Sequence, residues 1–424
     1  MSLTTADASA SYRPDRMLPT RRLNAVVKMP LILCLAAFLI GFSAGAHADV
    51  FKLIPLVSLK EEFNSNIFFS SEDEIDDWIT TLSPGMQISD ETERGFAEVS
   101  GRLDIVRFLD ADDLNATEEY LSGRLRYRLT PRSDVAADGE YAKDFRPDRD
   151  IDETGLVQSA QPRWRRSFNL IGNYRPTETA TATLTYGYQG TDYQTGDFAD
   201  SRVQTLQFAH AWDAGRIFER TIGRLGLGYA RGDFDTSQVD SYSATVGSSW
   251  DASEVLSVLF DVGVRYTRTE FTTLTLLAPT PQVTESVEST RDWSGIGEVL
   301  LQYQGEKDRA RLALSHDIRQ ASGRGGTTMR SSAVYWMAHR FADPLEGRFL
   351  AGYYRNKSEE GTVSVLPVDE ATVRLQPSLQ YDFTRDLYLQ VAYTLTWVKD
   401  YTEDSESVQN VVYGLVYWQW PLLE

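Results

Sequence analysis

Apolar and polar residues alternate with a period of two from about residue 51 to the end of the chain. Successive side chains of a β-strand point to opposite faces, so this alternation predicts strands with one apolar and one polar face. The pattern is clearest at 256–267, 373–383 and 387–397. In the first of these, the apolar members are Leu256, Val258, Phe260, Val262, Val264 and Tyr266.

The alternating segments run for about 9 to 12 residues, the length that a tilted strand needs to cross the hydrocarbon layer of a membrane. Tight connections, such as those near 131–132 and 343–344, alternate with longer ones. The longer connections are expected near 64–77, 110–118, 144–164, 190–201, 232–240, 271–290, 320–328, 356–370 and 399–408. Short turns on one side and long loops on the other are typical of a bacterial outer-membrane barrel.

The predicted fold class is therefore all-β, a transmembrane up-and-down antiparallel β-barrel of about 16 to 18 strands. The lower count stays open because 51–63 and 133–143 are poorly patterned. A β-propeller is the alternative, because Trp-Asp pairs stand at 212–213 and 250–251. A propeller blade holds four short strands, whereas each period here holds two long ones.

Residues 1–48 are predicted to be a signal peptide and 49–424 the barrel. Arg21, Arg22 and Lys28 precede an apolar run from Met29 to Phe42, and Ala46-His47-Ala48 predicts cleavage before Asp49. The only cysteine of the chain, Cys34, lies in that run, so the mature protein would carry no thiol. These features predict a protein of the bacterial outer membrane, in contact with its lipids and lipopolysaccharide.

Aromatic residues near the predicted strand ends support a membrane barrel, because barrels place Tyr and Trp in girdles at the two membrane interfaces. The alternation predicts that they share the apolar, lipid-facing register. They are Tyr186, Tyr188, Trp212, Trp250, Tyr266, Tyr353, Tyr381, Tyr393, Trp397, Tyr413 and Tyr417.

The polar register would line the lumen, and it carries charges of both signs. The candidate lumen residues are Arg102, Arg124, Arg126, Arg128, Asp261, Arg265, Arg311 and Arg374. One interpretation is a constriction that selects anions or polysaccharide, since arginine presents a fixed donor fork to carboxylate and phosphate. The other is that these arginines pair with carboxylates across the wall and merely fill the lumen.

The long loops are acidic, and the whole chain carries a net charge of -19. This charge argues against nucleic acid as a partner, while polysaccharide and small solutes remain open. Asp148, Asp150 and Asp152 have the spacing of a calcium loop, but Glu153 and Ser159 replace its required Gly and Glu. We therefore predict no metal site and no cofactor.

The sequence gives no sign of catalysis, so the chain is predicted not to be an enzyme and to have no catalytic residues. The histidines after residue 48 are His210, His316 and His339. Ser315, His316 and Asp317 are consecutive, and neighbours on a strand point to opposite faces, so they cannot form a triad. An outer-membrane hydrolase remains a third hypothesis after a pore and a closed structural or adhesive barrel whose acidic loops bind surface polysaccharide or lipopolysaccharide.

The segments 53–66 and 77–85 resemble a family of outer-membrane β-barrel porins linked to exopolysaccharide production or export. The residues that match the family pattern are Pro55, Glu62, Asn66, Asp77, Ile79, Pro84 and Gly85. The match covers about the first two predicted strands. The resemblance implies an envelope barrel with a role in polysaccharide handling, and it implies no catalytic or binding residues.

Overall fold

The computed structural model describes residues 50–145, 161–194, 199–216, 218–235, 237–277, 282–320, 327–358 and 368–423. The predicted signal peptide and the calcium-like spacing at 148–152 lie outside the described residues. Among the described residues, no helix has the length and hydrophobicity needed to cross a membrane.

Eighteen strands make up almost all of the described chain. They are β1 (Val50–Asn64), β2 (Asp77–Glu91), β3 (Gly95–Phe108), β4 (Ala116–Thr130), β5 (Ser133–Asp144), β6 (Arg163–Thr177), β7 (Ala180–Tyr193), β8 (Ser201–Asp213), β9 (Thr221–Phe234), β10 (Ser237–Asp251), β11 (Leu256–Leu277), β12 (Gln282–Gln304), β13 (Asp308–Gln320), β14 (Thr327–Ala342), β15 (Leu345–Ser358), β16 (Asp369–Asp382), β17 (Leu387–Asp400) and β18 (Ser405–Gln419). A single 3₁₀ turn, Asp112–Leu114, interrupts this pattern among the described residues.

Every strand pairs antiparallel with its neighbours in the chain, and β1 also pairs with β18. The sheet is therefore a closed up-and-down barrel, and the prediction of fold class is confirmed. The strand number is 18. The two weakly patterned segments that left 16 open are both strands, β1 and β5.

The long connections differ from prediction at three places, one of which is 399–408, where only residues 401–404 connect β17 to β18. Residues 235–236 alone connect β9 to β10, and β11 and β12 continue through most of the segment 271–290. Near 232–240 the outer register is polar: Arg231 bonds to Asp233 and to Gln238 on the outer face. Alternation is needed only where one face meets hydrocarbon, so a polar hairpin beyond the membrane reads as a loop.

The two faces of the barrel differ as the alternation predicts. Large apolar side chains on the outer face are exposed, among them Leu82, Leu184 and Val264. On four adjacent strands, Tyr229, Tyr242, Tyr266 and Trp293 are direct cross-strand neighbours, with ring centroids 5.1, 6.4 and 5.1 Å apart. The next outward positions toward the loops are charged: Arg231, Asp240, Arg268 and Arg291.

The prediction that Tyr413 and Tyr417 face lipid is wrong. On β18 the exposed apolar residues are Val412, Val416 and Trp418, and the two tyrosines occupy the other register. Tyr413 accepts a hydrogen bond from Gln376, and Tyr417 stacks on Tyr388 with ring centroids 4.8 Å apart. Because both registers of β18 contain aromatics, the alternation there did not distinguish lipid from lumen.

Candidate functional site: the barrel lumen

The eight candidate lumen residues all lie on the inner face, but they do not form one cluster. Arg102 lies on β3, and Arg124, Arg126 and Arg128 lie on β4. The remaining four are distributed over β11, β13 and β16: Asp261, Arg265, Arg311 and Arg374. Their placement follows from strand register, since each lies opposite inner-face residues of the neighbouring strands. Selection of a solute by any of them stays a prediction.

Arg124, Arg126 and Arg128 form a ladder in the half of β4 that is nearer the short turns. Arg124 lies opposite Asp138 and Arg128 lies opposite Asp134, but these carboxylates accept hydrogen bonds from asparagine amides of β6. The side chain of Arg124 is 71% exposed, and its nearest carboxylate oxygen, of Glu98, is 3.9 Å away. Among the residues that the structure describes, Arg126 and Arg128 have no ion-pair partner. The three guanidinium groups are therefore solvated in the lumen with no ion pair closer than 3.9 Å among the described residues, although Glu98, Asp134 and Asp138 lie on the neighbouring strands.

Three other candidates are paired. Arg102 lies 2.8 Å from Asp104 and also over the ring of Tyr120, at 4.7 Å from its centroid. The carboxylate of Asp261 lies 3.3 Å from the guanidinium of Arg224. Arg265 lies 2.9 Å from Asp317 and donates to the carbonyl of Ile318 at 2.7 Å. These pairs neutralise charge within the wall.

Arg311 and Arg374 lie in different surroundings. Arg311 lines a cavity of about 990 Å³ at the short-turn end of β10 to β14, together with Trp336. In the described part of the chain it has no ion pair. Arg374 stands between Gly352 of β15 and Thr396 of β17 on the inner wall.

A second group of charges, which the sequence analysis missed, is buried at the loop end of β5 and β6. The carboxylate of Asp144 lies 2.7 Å from Arg163 and 2.6 Å from Arg165. Both Asp144 and Arg163 are almost fully buried. The sequence places 144–164 in a loop, so these residues could not be assigned to a common face.

A larger cavity of about 1030 Å³ is lined mainly by β1 to β7 and by β17 and β18. Hydroxyl and amide side chains dominate its polar lining, including Ser83, Ser122 and Gln189. The stacked rings of Tyr388 and Tyr417 also line it. The cavity therefore offers aromatic surface next to groups that can both donate and accept hydrogen bonds.

Four residues of the N-terminal motif are buried at the loop end of the lumen: Glu62, Asn66, Asp77 and Ile79. Glu62 pairs with Lys60 at 2.5 Å. Gly85 has no room for a side chain, because a Cβ there would lie 2.8 Å from Leu56 and 2.9 Å from the carbonyl of Gly101. Four of the motif residues thus pack around the first loop, whereas Gly85 allows β2 to pack closely against β1 and β3.

Each of the three histidines that the structure describes contacts a different partner. His316 shares a hydrogen bond with Ser331 at 2.7 Å, and His339 lies 2.6 Å from Asp308. His210 stacks on Trp212 with centroids 5.9 Å apart. Within the described ranges, no group of three or more His, Cys, Asp or Glu side chains is placed to hold a metal ion.

No model of a known protein family matches this chain, and no curated protein matches it in sequence. Among solved structures, the copper transporter OprC is similar at a TM-score of 0.47 and 11% identity, covering 88% of this chain and 68% of OprC. The outer membrane protein OpdK of Pseudomonas aeruginosa has a TM-score of 0.44 and 12% identity, covering 87% and 99%. The ferric yersiniabactin uptake receptor FyuA of Yersinia pestis has a TM-score of 0.46 and 10% identity, covering 85% and 65%. These values describe a likeness of architecture and assign no solute to this chain.

Proposed function

We propose that this protein is a channel of the bacterial outer membrane that conducts small solutes and prefers anions. The membrane location is supported by the apolar outer face and by the row Tyr229, Tyr242, Tyr266 and Trp293, beyond which the outer face becomes charged. Aromatic rows of this kind lie at the interface between hydrocarbon and headgroups. Outer-membrane lipids and lipopolysaccharide would then surround the barrel.

The observation that carries the anion preference is the arginine ladder on β4, whose side chains are solvated and have no ion pair closer than 3.9 Å among the described residues. A solvated guanidinium with no carboxylate partner keeps its charge available to a passing solute, and it can bind carboxylate or phosphate with two hydrogen bonds. Arg311, on the ninth strand from β4 in a sheet of 18, adds a second such charge on the opposite wall.

Single-channel recording in planar bilayers tests this function on the purified, detergent-folded protein. We expect discrete conductance steps. Under a KCl gradient, the reversal potential should have the sign of the chloride equilibrium potential. A compact, heat-modifiable barrel that passes no current would contradict the pore and favour the closed structural or adhesive barrel. A conducting barrel whose reversal potential has the sign of the potassium equilibrium potential would contradict only the anion preference.

A finer role in polysaccharide export rests on the larger cavity. Its stacked tyrosines and its hydroxyl and amide lining suit a polyhydroxylated chain, because each sugar hydroxyl both donates and accepts. Oligosaccharides added to one side should interrupt the ionic current, and replacement of both Tyr388 and Tyr417 by leucine should shorten the interruptions. Unchanged interruptions in that variant would leave the pore proposal intact and remove this role.

A further inference from the structure

The loop 65–76, which connects β1 to β2, is docked against the inner wall of the barrel. Ile67 is buried with Ile79, Val106 and Phe108, which are inner-face residues at the loop ends of β2 and β3. Phe69 is buried against Val398 of β17 on the other flank. Phe68, between them, is 38% exposed. The loop therefore lies inside the mouth.

Asn66 fastens this loop by hydrogen bonds and is completely buried. Its amide nitrogen donates to the carbonyls of Ser70 and Val408 at 2.8 and 3.1 Å, and its side-chain oxygen accepts from the Ser70 amide at 2.9 Å. Gln409 donates to the Asn66 carbonyl at 2.9 Å. Undocking the loop would break these bonds and expose the apolar contacts, so the docked position is held by both kinds of interaction.

The second loop, 109–115, is tied to the first through the buried carboxylate of Asp77. This carboxylate accepts hydrogen bonds from the backbone amides of Leu109, Asp110 and Ala111 at 3.0, 3.1 and 2.9 Å. Ala111 and Leu114 pack on the same apolar cluster as Ile67. The two loops and the strand ends beneath them therefore form one packed unit.

The solvent-facing side of this unit is acidic. In the first loop Glu72, Asp73, Glu74 and Asp76 are exposed, and neither loop contains a lysine or arginine. We infer that loops 65–76 and 109–115 form a fixed acidic constriction inside the mouth, which sets its width and repels anions entering from the loop side. This inference rests on the proposed pore. Together with the arginine ladder at the other end, it gives the lumen two zones of opposite charge, so that ionic current depends on the direction of the voltage.

Thiol labelling tests the docked position without any need for conductance. In a Cys34→Ser chain, we would compare Ile67→Cys and Phe69→Cys with the neighbouring Phe68→Cys, using a water-soluble maleimide on the folded barrel. We expect Phe68→Cys to react at least about ten-fold faster, since an opening cost of about 1.4 kcal/mol slows a buried thiol ten-fold. Equal rates at all three positions, with each barrel still compact on an unboiled gel, would overturn the inference.

Charge removal tests the constriction itself. The variant Glu72→Gln, Asp73→Asn, Glu74→Gln, Asp76→Asn should lose the voltage asymmetry and shift the reversal potential further toward chloride. The control Glu403→Gln, Asp404→Asn removes exposed carboxylates from the loop 401–404 and should change neither. An equal shift in both variants would show that the charges act from the outer surface, and would overturn the inference. Absence of current in the unmodified barrel would instead contradict the proposed function, while the labelling result would stand.

Discussion

Arginines on the inner wall occupy two regions with opposite electrostatics. At the loop end of β6, Arg163 and Arg165 hold Asp144 at 2.7 and 2.6 Å, and Asp144 and Arg163 are withdrawn from water. In the turn-side half of β4, the side chain of Arg124 is 71% exposed and Arg126 and Arg128 have no carboxylate partner among the described residues. A buried charge must be paired, whereas a charge in a wet lumen can remain solvated. We therefore expect the first region to stabilise the barrel and the second to interact with the solute.

The largest expected effect comes from breaking the buried pair. Asp144→Ala would remove the buried carboxylate that both Arg163 and Arg165 contact, and removing one partner of a buried ion pair costs about 3 to 5 kcal/mol. We expect the compact band of the unboiled barrel to convert to the unfolded band at a lower temperature and at a lower denaturant concentration.

Asp144→Asn is the matched control for this change, because it keeps an oxygen that can accept from the guanidinium groups. It should be less destabilising than Asp144→Ala. Unfolding of Asp144→Ala at the same denaturant concentration as the unmodified protein would show that the pairing does not stabilise this end of the barrel.

The second effect concerns conduction. Replacing Arg124, Arg126 and Arg128 by glutamine should change the free energy of unfolding by no more than about 0.5 kcal/mol, because these solvated side chains make no buried contact. The ratio of chloride to potassium permeability should fall at least about five-fold at low salt, since even one of the three charges, at 4 Å in water, is worth about 1 kcal/mol. Reversal potentials under a KCl gradient measure this ratio.

Salt provides the control for the ladder. At 1 M KCl the screening length is about 3 Å, so the difference between the ladder variant and the unmodified channel should nearly vanish. A difference that persists at 1 M would mean that the substitutions change the width of the pore, and the ladder would lose its role in selectivity.

The fold was predictable because the membrane imposes two different environments on every strand. In 256–266 every outward position is apolar and the inward positions are largely polar, and that register places Asp261 and Arg265 on the inner face. Beyond the aromatic row this constraint ends. Asp233 lies in a strand, next to Arg231, although the sequence predicts a loop there. Asp144 and Arg163 also lie in strands within a segment that the sequence predicts to be a loop.

The state of each lumen charge was not predictable. Arg102 and Arg126 are both arginines of the inner face, yet only the charge of Arg102 is paired, by the carboxylate of Asp104. Such pairing depends on side-chain conformation, on which the alternation carries no information. The docked loop was also missed as a structure, although Asn66, Asp77 and Ile79 were singled out by the motif. Ile67, Phe68 and Phe69 are three consecutive apolar residues in a largely polar loop, and no periodicity shows which of them are buried.

The smallest expected effect tests the comparison between paired and unpaired arginines most directly, because a single substitution would convert Arg102 from paired to unpaired. Arg102 is 46% exposed and lies 2.8 Å from Asp104, which is nearly buried. Asp104→Asn would remove the compensating charge and leave the guanidinium in the lumen. The chloride preference should then rise, opposite in sign to the effect of the ladder substitutions. Because Asp104→Asn changes one charge whereas the ladder variant changes three, the rise should be smaller than the fall expected for the ladder variant. If Asp104→Asn leaves the reversal potential unchanged while the ladder variant shifts it, position along the lumen rather than pairing determines which arginines act on the solute.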